Sequence, residues 1–521
     1  MTRLFAAAAL AAGLILLTSC GGLSRPFHIV AGSEQKTLEP IVMDFCQRKH
    51  VRCQIDYKGS LDIGLMLDSP QPLDIDAVWP ASSLWIELYD TGRRVKDLKS
   101  IDTTPVILGV RMGKARELGW IGKSVGMNDI LKAVQAGKFS FLMTSATQSN
   151  SGASAYVAML ASAFGDGGRL DPKALDNEAA RAKVKALLKG VARSSGSSGW
   201  LKDLYLETAH AGRPYDGMWN YEAVLKETND ALRADRKELL YAVYPAEGAS
   251  YADAPLGYVE HGQPKGTKAF FEALQTYLLT PQVQAKVAAD GRRTAPGMAA
   301  PARPEPDWNF DPSRVVPSIA LPEPAVIGRS LILYQEALRQ PSLTALCLDF
   351  SGSMAGEGEG QLQAAMKMLL TPNEAARSLI QWTPHDHIFV IPFDADVRQV
   401  YEGDGTAGSQ AKLLQQVQSE HANGGTDMYA CAEKAFAVMQ PYISRGGYLP
   451  AVVIMTDGRS DKNGTFVDQW RQAGHEAPVF GVTFGDAEKG QLDDVAKLTH
   501  ARVFDGGKNL TEAFRSARGY N

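Results

Sequence analysis

The second half of the chain alternates short apolar runs with longer helix-like stretches. The apolar runs lie at residues 342–350, 387–393, 448–458 and 477–485, and helix-like stretches such as residues 428–439 lie between them. Polar residues do not alternate with apolar ones inside the runs, which is typical of parallel strands buried on both faces. This order of elements predicts an α/β domain with a doubly wound parallel sheet.

The first half shows the same α/β pattern, and a proline-rich segment separates the two halves. Prolines are concentrated in residues 299–325, where they remove backbone donors and favour extended chain. We therefore expect one domain over residues 27–298, a linker over residues 299–325 wrapped along a surface, and a second domain over residues 326–521. A chain of 521 residues is too long for one core of the usual size, in keeping with this division.

The first twenty residues predict an export signal. Arg3 is followed by an apolar stretch over residues 4–17 and then by small residues before Cys20. The sequence Leu17-Thr18-Ser19-Cys20 resembles the bacterial lipobox, which implies that Cys20 is lipidated and becomes the first residue of the mature protein. The alternative is an ordinary cleaved signal peptide. No later run is long enough for a transmembrane helix, so we expect contact with a membrane through the lipid anchor only.

Composition argues against nucleic-acid binding but does not decide which cysteines form disulfides. A net charge of −4 with 21% charged residues gives no basic face for nucleic acid. In an oxidising compartment Cys46 and Cys53 either form a small disulfide loop or remain reduced, and the sequence does not decide between these states. Cys347 lies in an apolar run and Cys431 in a helix-like stretch, so we expect both to be buried thiols.

One loop of the second domain carries oxygen ligands at alternate positions. Asp349, Ser351 and Ser353 follow the apolar run at residues 342–350, and a turn through Gly352 can aim the three side chains at one point. Ligands in a doubly wound sheet bind beyond the carboxyl ends of the strands, where this loop is expected to lie. Oxygen ligands with few carboxylates favour Mg²⁺ or Mn²⁺ over zinc.

Together with Thr426 in "GGTD" and Asp457 in "MTDG", this loop resembles the metal-ion-dependent adhesion site of von Willebrand factor A domains. The resemblance implies direct coordination by Ser351 and Ser353, with Asp349, Thr426 and Asp457 binding directly or through water. Two carboxylates only neutralise a divalent ion, so the metal would accept a further anionic oxygen from an Asp or Glu of a protein partner. The alternative is a serine-rich turn that caps a helix and binds no metal.

Two further features of the second domain affect this interpretation. Pro372 interrupts the helix-like stretch after the first metal loop and is expected to break or kink it. His385 and His387 could suggest zinc, but two histidines at this spacing without a third ligand nearby are weak evidence. We expect them to flank a turn that enters a strand.

The first domain resembles the type II periplasmic solute-binding proteins, which are bilobed. The similarity lies in the order of several short stretches: "FHIVAG" at residues 27–32, "YKGS" at 57–60, "TTPVILGV" at 103–110, "SATQSNSGASAY" at 145–156 and "YPAEG" at 244–248. The resemblance implies two α/β lobes joined by crossing strands, with a ligand held between them by hinge closure. The first crossing is expected near residues 103–110, and the return near residues 244–248.

The resemblance also assigns candidate ligand-binding residues to the cleft between the lobes. These are Ser33, Ser60, Ser151, Trp219 and Tyr244. Hydroxyls and backbone amides at helix starts suit anionic oxygens, but serines also cap helices in any globular fold. No Arg or Lys clearly belongs to the cleft, so an oxyanion is one option among several. Trp219 could stack on a ligand or belong to the core.

These features favour a non-enzymatic binding protein of the cell envelope. We expect the second domain to bind a protein through Mg²⁺ and the first to recognise a small solute, with the chain exported and lipid-anchored on the periplasmic or cell-surface side. One alternative is the receptor of an ABC-type solute transporter with an accessory A domain. Another is a hydrolase or a partner of a metal-inserting ATPase, but the sequence has neither a GxSxG nor an HExxH motif, and an exported chain would not meet the ATPase.

Overall fold

The computed structural model describes most of the chain. The described residues are 23, 25–164, 170, 172–295, 297–458, 460, 466, 468, 470, 477–484, 487, 490–507 and 510–519. The export signal and Cys20 lie outside them.

The described strands form three sheets. They are β1 Phe27–Gly32, β2 Cys53–Lys58, β3 Ala77–Trp79, β4 Val95–Ser100, β5 Thr104–Arg111, β6 Phe141–Thr144, β7 Val191–Ser195, β8 Gly217–Tyr221, β9 Leu240–Val243, β10 Tyr251–Ala252, β11 Pro255–Val259, β12 Ser342–Asp349, β13 His387–Phe393, β14 Tyr401–Asp404, β15 Leu449–Thr456, β16 Val479–Thr483 and β17 Val503–Asp505.

Helices cover the faces of the sheets. They are α1 Glu39–Arg48, α2 Ser60–Asp68, α3 Leu84–Tyr89, α4 Met112–Glu117, α5 Met127–Gln135, α6 Asn150–Phe164, α7 Glu178–Leu188, α8 Ser198–His210, α9 Glu222–Ala234, α10 Lys265–Leu278, α11 Pro281–Ala289, α12 Pro324–Leu333, α13 Glu357–Leu370, α14 Pro372–Arg377, α15 Ala407–Gln418, α16 Met428–Arg445, α17 Gly490–Leu498 and α18 Leu510–Gly519.

The first two sheets build two lobes. The sheet of lobe 1 has the strand order β2-β1-β3-β11-β4, and that of lobe 2 has the order β10-β5-β8-β6-β7, with β9 also paired to β5. The chain crosses from lobe 1 to lobe 2 between β4 and β5 and returns between β10 and β11. The predicted bilobed α/β architecture is therefore present, with both crossings close to the expected positions.

The two lobes are in direct contact. The backbone N–H of Leu61 donates to the carbonyl of Gln148 at 3.1 Å, and the indole of Trp85 donates to Asn150 Oδ1 at 2.8 Å. A Cβ at Gly59 would lie 2.3 Å from the Gln148 carbonyl oxygen, so only glycine allows this approach. The cleft is closed in this structure.

The proline-rich segment is anchored to lobe 2. Trp308 is fully buried and stacks on Phe310, with ring centroids 4.7 Å apart. Further on, α12 and a π-helical turn at Tyr334–Leu338 contribute apolar side chains to the large core cluster that spans both lobes. Residues 326–338, which the sequence analysis assigned to the second domain, thus pack against the first.

The third sheet is the doubly wound sheet expected from the apolar runs. Its order is β14-β13-β12-β15-β16-β17, and all neighbours are parallel except β13 and β14. Leu346 and Leu348 of β12 pack in one core cluster, and Leu343 and Ala345 pack in another. Both faces of β12 are therefore buried, which explains why the run lacks polar alternation.

Both pairs of cysteines form disulfides. Cys46 is bonded to Cys53, which settles the alternative that the sequence left open. Cys347 is bonded to Cys431, so the expectation of two buried thiols was wrong. Both residues are fully buried as expected, but the sequence did not reveal that α16 packs on β12 and brings the sulfurs together.

Pro372 acts as predicted. Helix α13 ends at Leu370, and α14 begins at Pro372, whose fixed φ and missing N–H suit the first turn of a helix. Among the described helices, none is both long and apolar enough to cross a membrane.

Candidate metal centre and ligand cleft

The candidate metal centre lies at the carboxyl edge of the third sheet. Strand β12 ends at Asp349 and pairs in parallel with β15, which ends at Thr456 and is followed by Asp457. Neighbouring parallel strands end at the same edge of a sheet, so the two acidic loops lie side by side.

A backbone hydrogen bond adds the third loop. The N–H of Gly352 donates to the carbonyl of Gly424 at 3.0 Å, and a Cβ at Gly352 would lie 3.2 Å from that oxygen. This close approach holds the turn that carries Ser351 and Ser353 against the loop that leads to Thr426. Helix α16 begins just beyond, at Met428.

The hydroxyls and carboxylates form a connected set of oxygens. Ser351 Oγ lies 3.1 Å from Ser353 Oγ, and Ser353 Oγ donates to Asp457 Oδ1 at 3.0 Å. In an octahedral Mg²⁺ site with metal–oxygen distances of about 2.1 Å, adjacent ligand oxygens lie roughly 3.0 Å apart. The spacing of these side chains therefore fits a small divalent cation.

Asp349 anchors the first loop. Its Oδ1 accepts the N–H of Ser351 at 2.8 Å, and its Oδ2 accepts the hydroxyl of Thr456 at 2.6 Å. Burial raises the pKa of Asp349 and the charge of Asp457 adds to this rise, while the hydrogen bonds from Thr456 and Ser351 oppose it. A divalent cation would favour the charged form of both carboxylates.

The centre is buried on one side and open on the other. Asp349 is 0% exposed, Ser351 1% and Thr426 8%. Ser353 is exposed and Asp457 is half-buried. A ligand oxygen from outside would thus reach the centre from the side of Ser353 and Asp457.

Clusters richer in charged ligands are absent from the described ranges. No group of three or more His, Cys, Asp or Glu side chains is placed there to hold a metal ion. The predicted centre contains only two such side chains, and its other ligands are hydroxyls. His387 lies at the start of β13, where its Nε2 is 2.9 Å from Glu402 and its ring is 4.1 Å from the ring of Tyr442.

Two of the candidate cleft residues, Ser33 and Ser60, lie at the boundary between the lobes, and Ser151 lies within lobe 2. Ser33 Oγ accepts the backbone N–H of Gly199 at 2.9 Å, which joins lobe 1 to lobe 2. Ser60 Oγ accepts the N–H of Ala81 at 2.9 Å. Ser151 Oγ lies 2.8 Å from Ser198 Oγ in a fully buried cluster of hydroxyls.

The other two candidates lie elsewhere in lobe 2. The ring of Trp219 is 1% exposed and packs in the main core cluster, edge-on to Phe141. Tyr244 donates to Glu222 Oε1 at 2.6 Å and lies under the guanidinium of Arg314 in the proline-rich segment. The structure does not bring these two side chains together with the cleft serines.

The sequence analysis missed Glu34. This residue follows Ser33 directly after β1, is 5% exposed, and has a side-chain oxygen without a hydrogen-bond partner among the described residues. Burial raises its pKa to about 7, against the lowering effects of a backbone hydrogen bond and of Arg292. The sequence did contain a signal for Glu34, since it is an acidic residue just after a strand that reads as buried.

Two family models match the chain. One, described as a bacterial extracellular solute-binding protein, matches residues 28–293, which is slightly more than half of the chain. The other, described as a von Willebrand factor type A domain, matches residues 345–503. A search of curated proteins found no match.

Several solved structures are similar to parts of the chain. The periplasmic binding protein AfuA from Actinobacillus pleuropneumoniae is 13% identical over 55% of this chain and 92% of its own, with a TM-score of 0.39. The ferric binding protein from Campylobacter jejuni is 13% identical over 58% and 95%, with a TM-score of 0.40. A von Willebrand factor type A protein from Catenulispora acidiphila is 18% identical over 35% and 43%, with a TM-score of 0.30.

Proposed function

The chain belongs to the bacterial extracellular solute-binding proteins and carries a von Willebrand factor type A domain, and from this premise we propose a two-site, non-enzymatic binding protein of the cell envelope. Its second domain binds a protein partner through Mg²⁺ or Mn²⁺, and its first domain recognises a small solute. The chain is exported and held on the periplasmic or cell-surface side of a membrane by a lipid on Cys20.

The oxygen spacing at the metal loops supports the first site most directly. Ser351, Ser353 and Asp457 present oxygens 3.0 and 3.1 Å apart, although they come from two loops more than a hundred residues apart. Asp349 and Thr426 would complete the set. Because a metal held by two carboxylates and neutral hydroxyls keeps affinity for one more anionic oxygen, an Asp or Glu of the partner is the expected ligand.

The metal-binding proposal is tested by titrating Mg²⁺ into the full chain and following its thermal unfolding. We expect a higher midpoint for the second domain in the native protein and no shift in Asp349→Ala or Ser353→Ala. Glu402→Ala is the matched control, since Glu402 is an exposed acid on β14 and lies beside Phe389 near the start of β13, at the opposite edge of the sheet from the metal loops. Equal Mg²⁺ responses in all four proteins would show that these residues do not bind the metal.

The partner proposal needs a separate test. Membrane extracts are passed over immobilised native protein and Asp349→Ala, each with Mg²⁺ or with chelator. We expect a partner retained only by the native protein with Mg²⁺, and retained less when its own surface Asp or Glu is changed to Asn or Gln. An identical set of retained proteins in all four samples would contradict metal-dependent binding of a partner.

A second candidate function is the receptor of a solute transporter, with the A domain as an accessory. The direct contact between the lobes favours it, because receptors of this architecture deliver a solute from a closed cleft. Growth on a single solute that depends on this chain but not on Asp349 would favour the transporter role over adhesion.

A further inference from the structure

Several buried polar atoms at the boundary between the lobes lack hydrogen-bond partners among the described residues. They belong to Glu34, Gln35 and Ser197. Each of these residues is 5% exposed or less. Since an unsatisfied buried polar group costs about 1–3 kcal/mol, a cluster of them in one place calls for an explanation.

These residues come from both lobes. Glu34 and Gln35 lie on the 3-10 turn Ser33–Leu38 of lobe 1, which packs against α8 of lobe 2. Ser197 immediately precedes α8 of lobe 2. The unpartnered atoms therefore line the boundary that a solute would occupy when the lobes close around it.

Hydrogen-bond acceptors predominate among the unpartnered atoms. Glu34 Oε1, when the carboxyl is ionised, and Gln35 Oε1 accept, whereas Gln35 Nε2 donates and the Ser197 hydroxyl can do either. A solute that satisfies this set must bring several donors of its own. The hydroxyls of Ser33 and Ser60 accept backbone N–H groups, so the O–H of each can still donate to an acceptor on the solute.

The charge at the boundary is negative. The nearest cation to Glu34 is the fully buried Arg292, but its Nε lies 3.1 Å from Asp290 and its Nη1 lies 3.4 Å from Asp102. Its Nη2 donates to the backbone carbonyl of Glu34 and to the hydroxyl of Thr37, not to the Glu34 carboxylate. The carboxyl of Glu34 thus has no cation of its own in the described part of the chain.

This arrangement argues against an oxyanion. A phosphate or sulfate would approach the Glu34 carboxyl without a free Arg or Lys to neutralise it, and burial strengthens such repulsion. A cation at the same place would supply the missing counter-charge and donate hydrogen bonds to the unpartnered oxygens.

We propose that the solute of the cleft is a hydroxyl-bearing amine whose ammonium group pairs with Glu34 and donates to the acceptors around it. This assignment rests on the proposed solute-binding role of the first domain. The side chain of Glu34 folds back over Gly32, where a Cβ would lie 1.8 Å from Glu34 Oε1, so glycine at this position makes room for the carboxyl.

Binding of four probes to the full chain tests this inference by calorimetry: glucosamine, ethanolamine, glucose and inorganic phosphate. We expect glucosamine to bind at least about tenfold more tightly than glucose, because only the amine pairs with a carboxylate. This comparison uses the native protein and does not depend on the folding of any variant. Glu34→Gln should lose about tenfold in glucosamine affinity, and Glu272→Gln, an exposed acid on α10 of the same lobe, should not.

The possible outcomes separate this inference from the proposed function. Phosphate or glucose bound as tightly as glucosamine, or glucosamine affinity unchanged in Glu34→Gln, would overturn the amine assignment and leave solute binding standing. No binding of glucosamine or ethanolamine would overturn the amine assignment alone.

Discussion

The guanidinium of Arg515 forms an ion pair with the carboxylate of Asp62, 453 positions earlier in the chain. Arg515 also donates to the carbonyls of Thr147 and Ser378. Asp62 belongs to lobe 1, Thr147 to lobe 2 and Ser378 to the second domain, and Arg515 is only 5% exposed. One side chain near the end of the chain thus holds three parts of the molecule together beside the closed cleft.

Arg515→Ala should loosen the contact between the lobes. The backbone amides of Leu61 and Gly199 donate across the lobe boundary, to Gln148 and Ser33, so their exchange with deuterium reports on opening. We expect exchange about tenfold faster in peptides covering these amides, because a buried charge-assisted contact is lost.

Arg502→Ala is the matched control for this prediction. Arg502 pairs with Asp203 at 3.0 Å and lies over the ring of Trp200, so it links the second domain to lobe 2 alone. Its loss should leave exchange at the lobe boundary unchanged. Equal exchange at Leu61 and Gly199 in both variants would show that Arg515 does not hold the lobes together.

Trp308→Ala should detach the proline-rich segment from lobe 2. The buried indole stacks on Phe310 and donates to Glu305 at 2.9 Å, and Glu305 in turn pairs with Arg233 of α9. Removal of a buried Trp typically costs about 3–5 kcal/mol of unfolding free energy. Val315 lies in the same segment and is 92% exposed, so Val315→Ala should change the stability by less than about 0.5 kcal/mol. Denaturant unfolding measures the stability of the two variants. Equal losses of unfolding free energy would show that Trp308 does not anchor the segment to lobe 2.

The Cys347–Cys431 disulfide should stabilise the second domain and its metal loops. It joins β12, two residues before Asp349, to α16, five residues after Thr426. For a sequence separation of 84 residues, chain entropy alone predicts about 4–5 kcal/mol, against roughly 2–3 kcal/mol for the separation of 7 between Cys46 and Cys53. Calorimetric scans of the two double Cys→Ala variants should show a larger fall in the first case, in the transition of the second domain. A fall confined to the first domain in both variants would refute this placement.

Glu34 should make stability depend on pH. Its pKa in the folded chain is about 7, above its value when unfolded, so the folded protein holds the proton to higher pH. The stability that this proton confers is complete below about pH 4.5 and is lost as the pH rises towards 7, a change of about 3 kcal/mol. Arg292 opposes this shift, Asp102 adds to it, and Tyr221 lies near Glu34 across the boundary.

Urea unfolding at pH 5 and pH 8 checks the sign. The native protein and Glu272→Gln should both become less stable from pH 5 to pH 8. The loss of unfolding free energy in Glu34→Gln should be smaller by up to about 3 kcal/mol. A native protein that becomes more stable relative to Glu34→Gln at pH 8 would show that Glu34 is not buried in this way.

The metal loops were predictable because each loop follows an apolar run whose end is visible in the sequence. Asp349 and Asp457 lie directly after strands, and parallel strands end at one edge of a sheet, so their proximity followed from local pattern. Ser33 and Ser60 came from the resemblance to solute-binding proteins, and their role as ligand-binding residues stays a prediction. Trp219 shows the limit of such reasoning, since the pattern of a strand does not say which of its side chains face the core.

The apolar runs of the sequence indicated the α/β class and the doubly wound second domain, because such runs are formed by residues close together in the chain. The bilobed first domain and the candidate oxygen ligands followed from short motifs that resemble those of known families. Tertiary structure decided the Cys347–Cys431 bond, the packing of residues 326–338 on the first domain, the burial of the Glu34 carboxyl and the position of Arg515 between both lobes. These features arise from contacts between residues far apart in the chain, and the free energy of such contacts depends on burial and on neighbouring charges that no local pattern records.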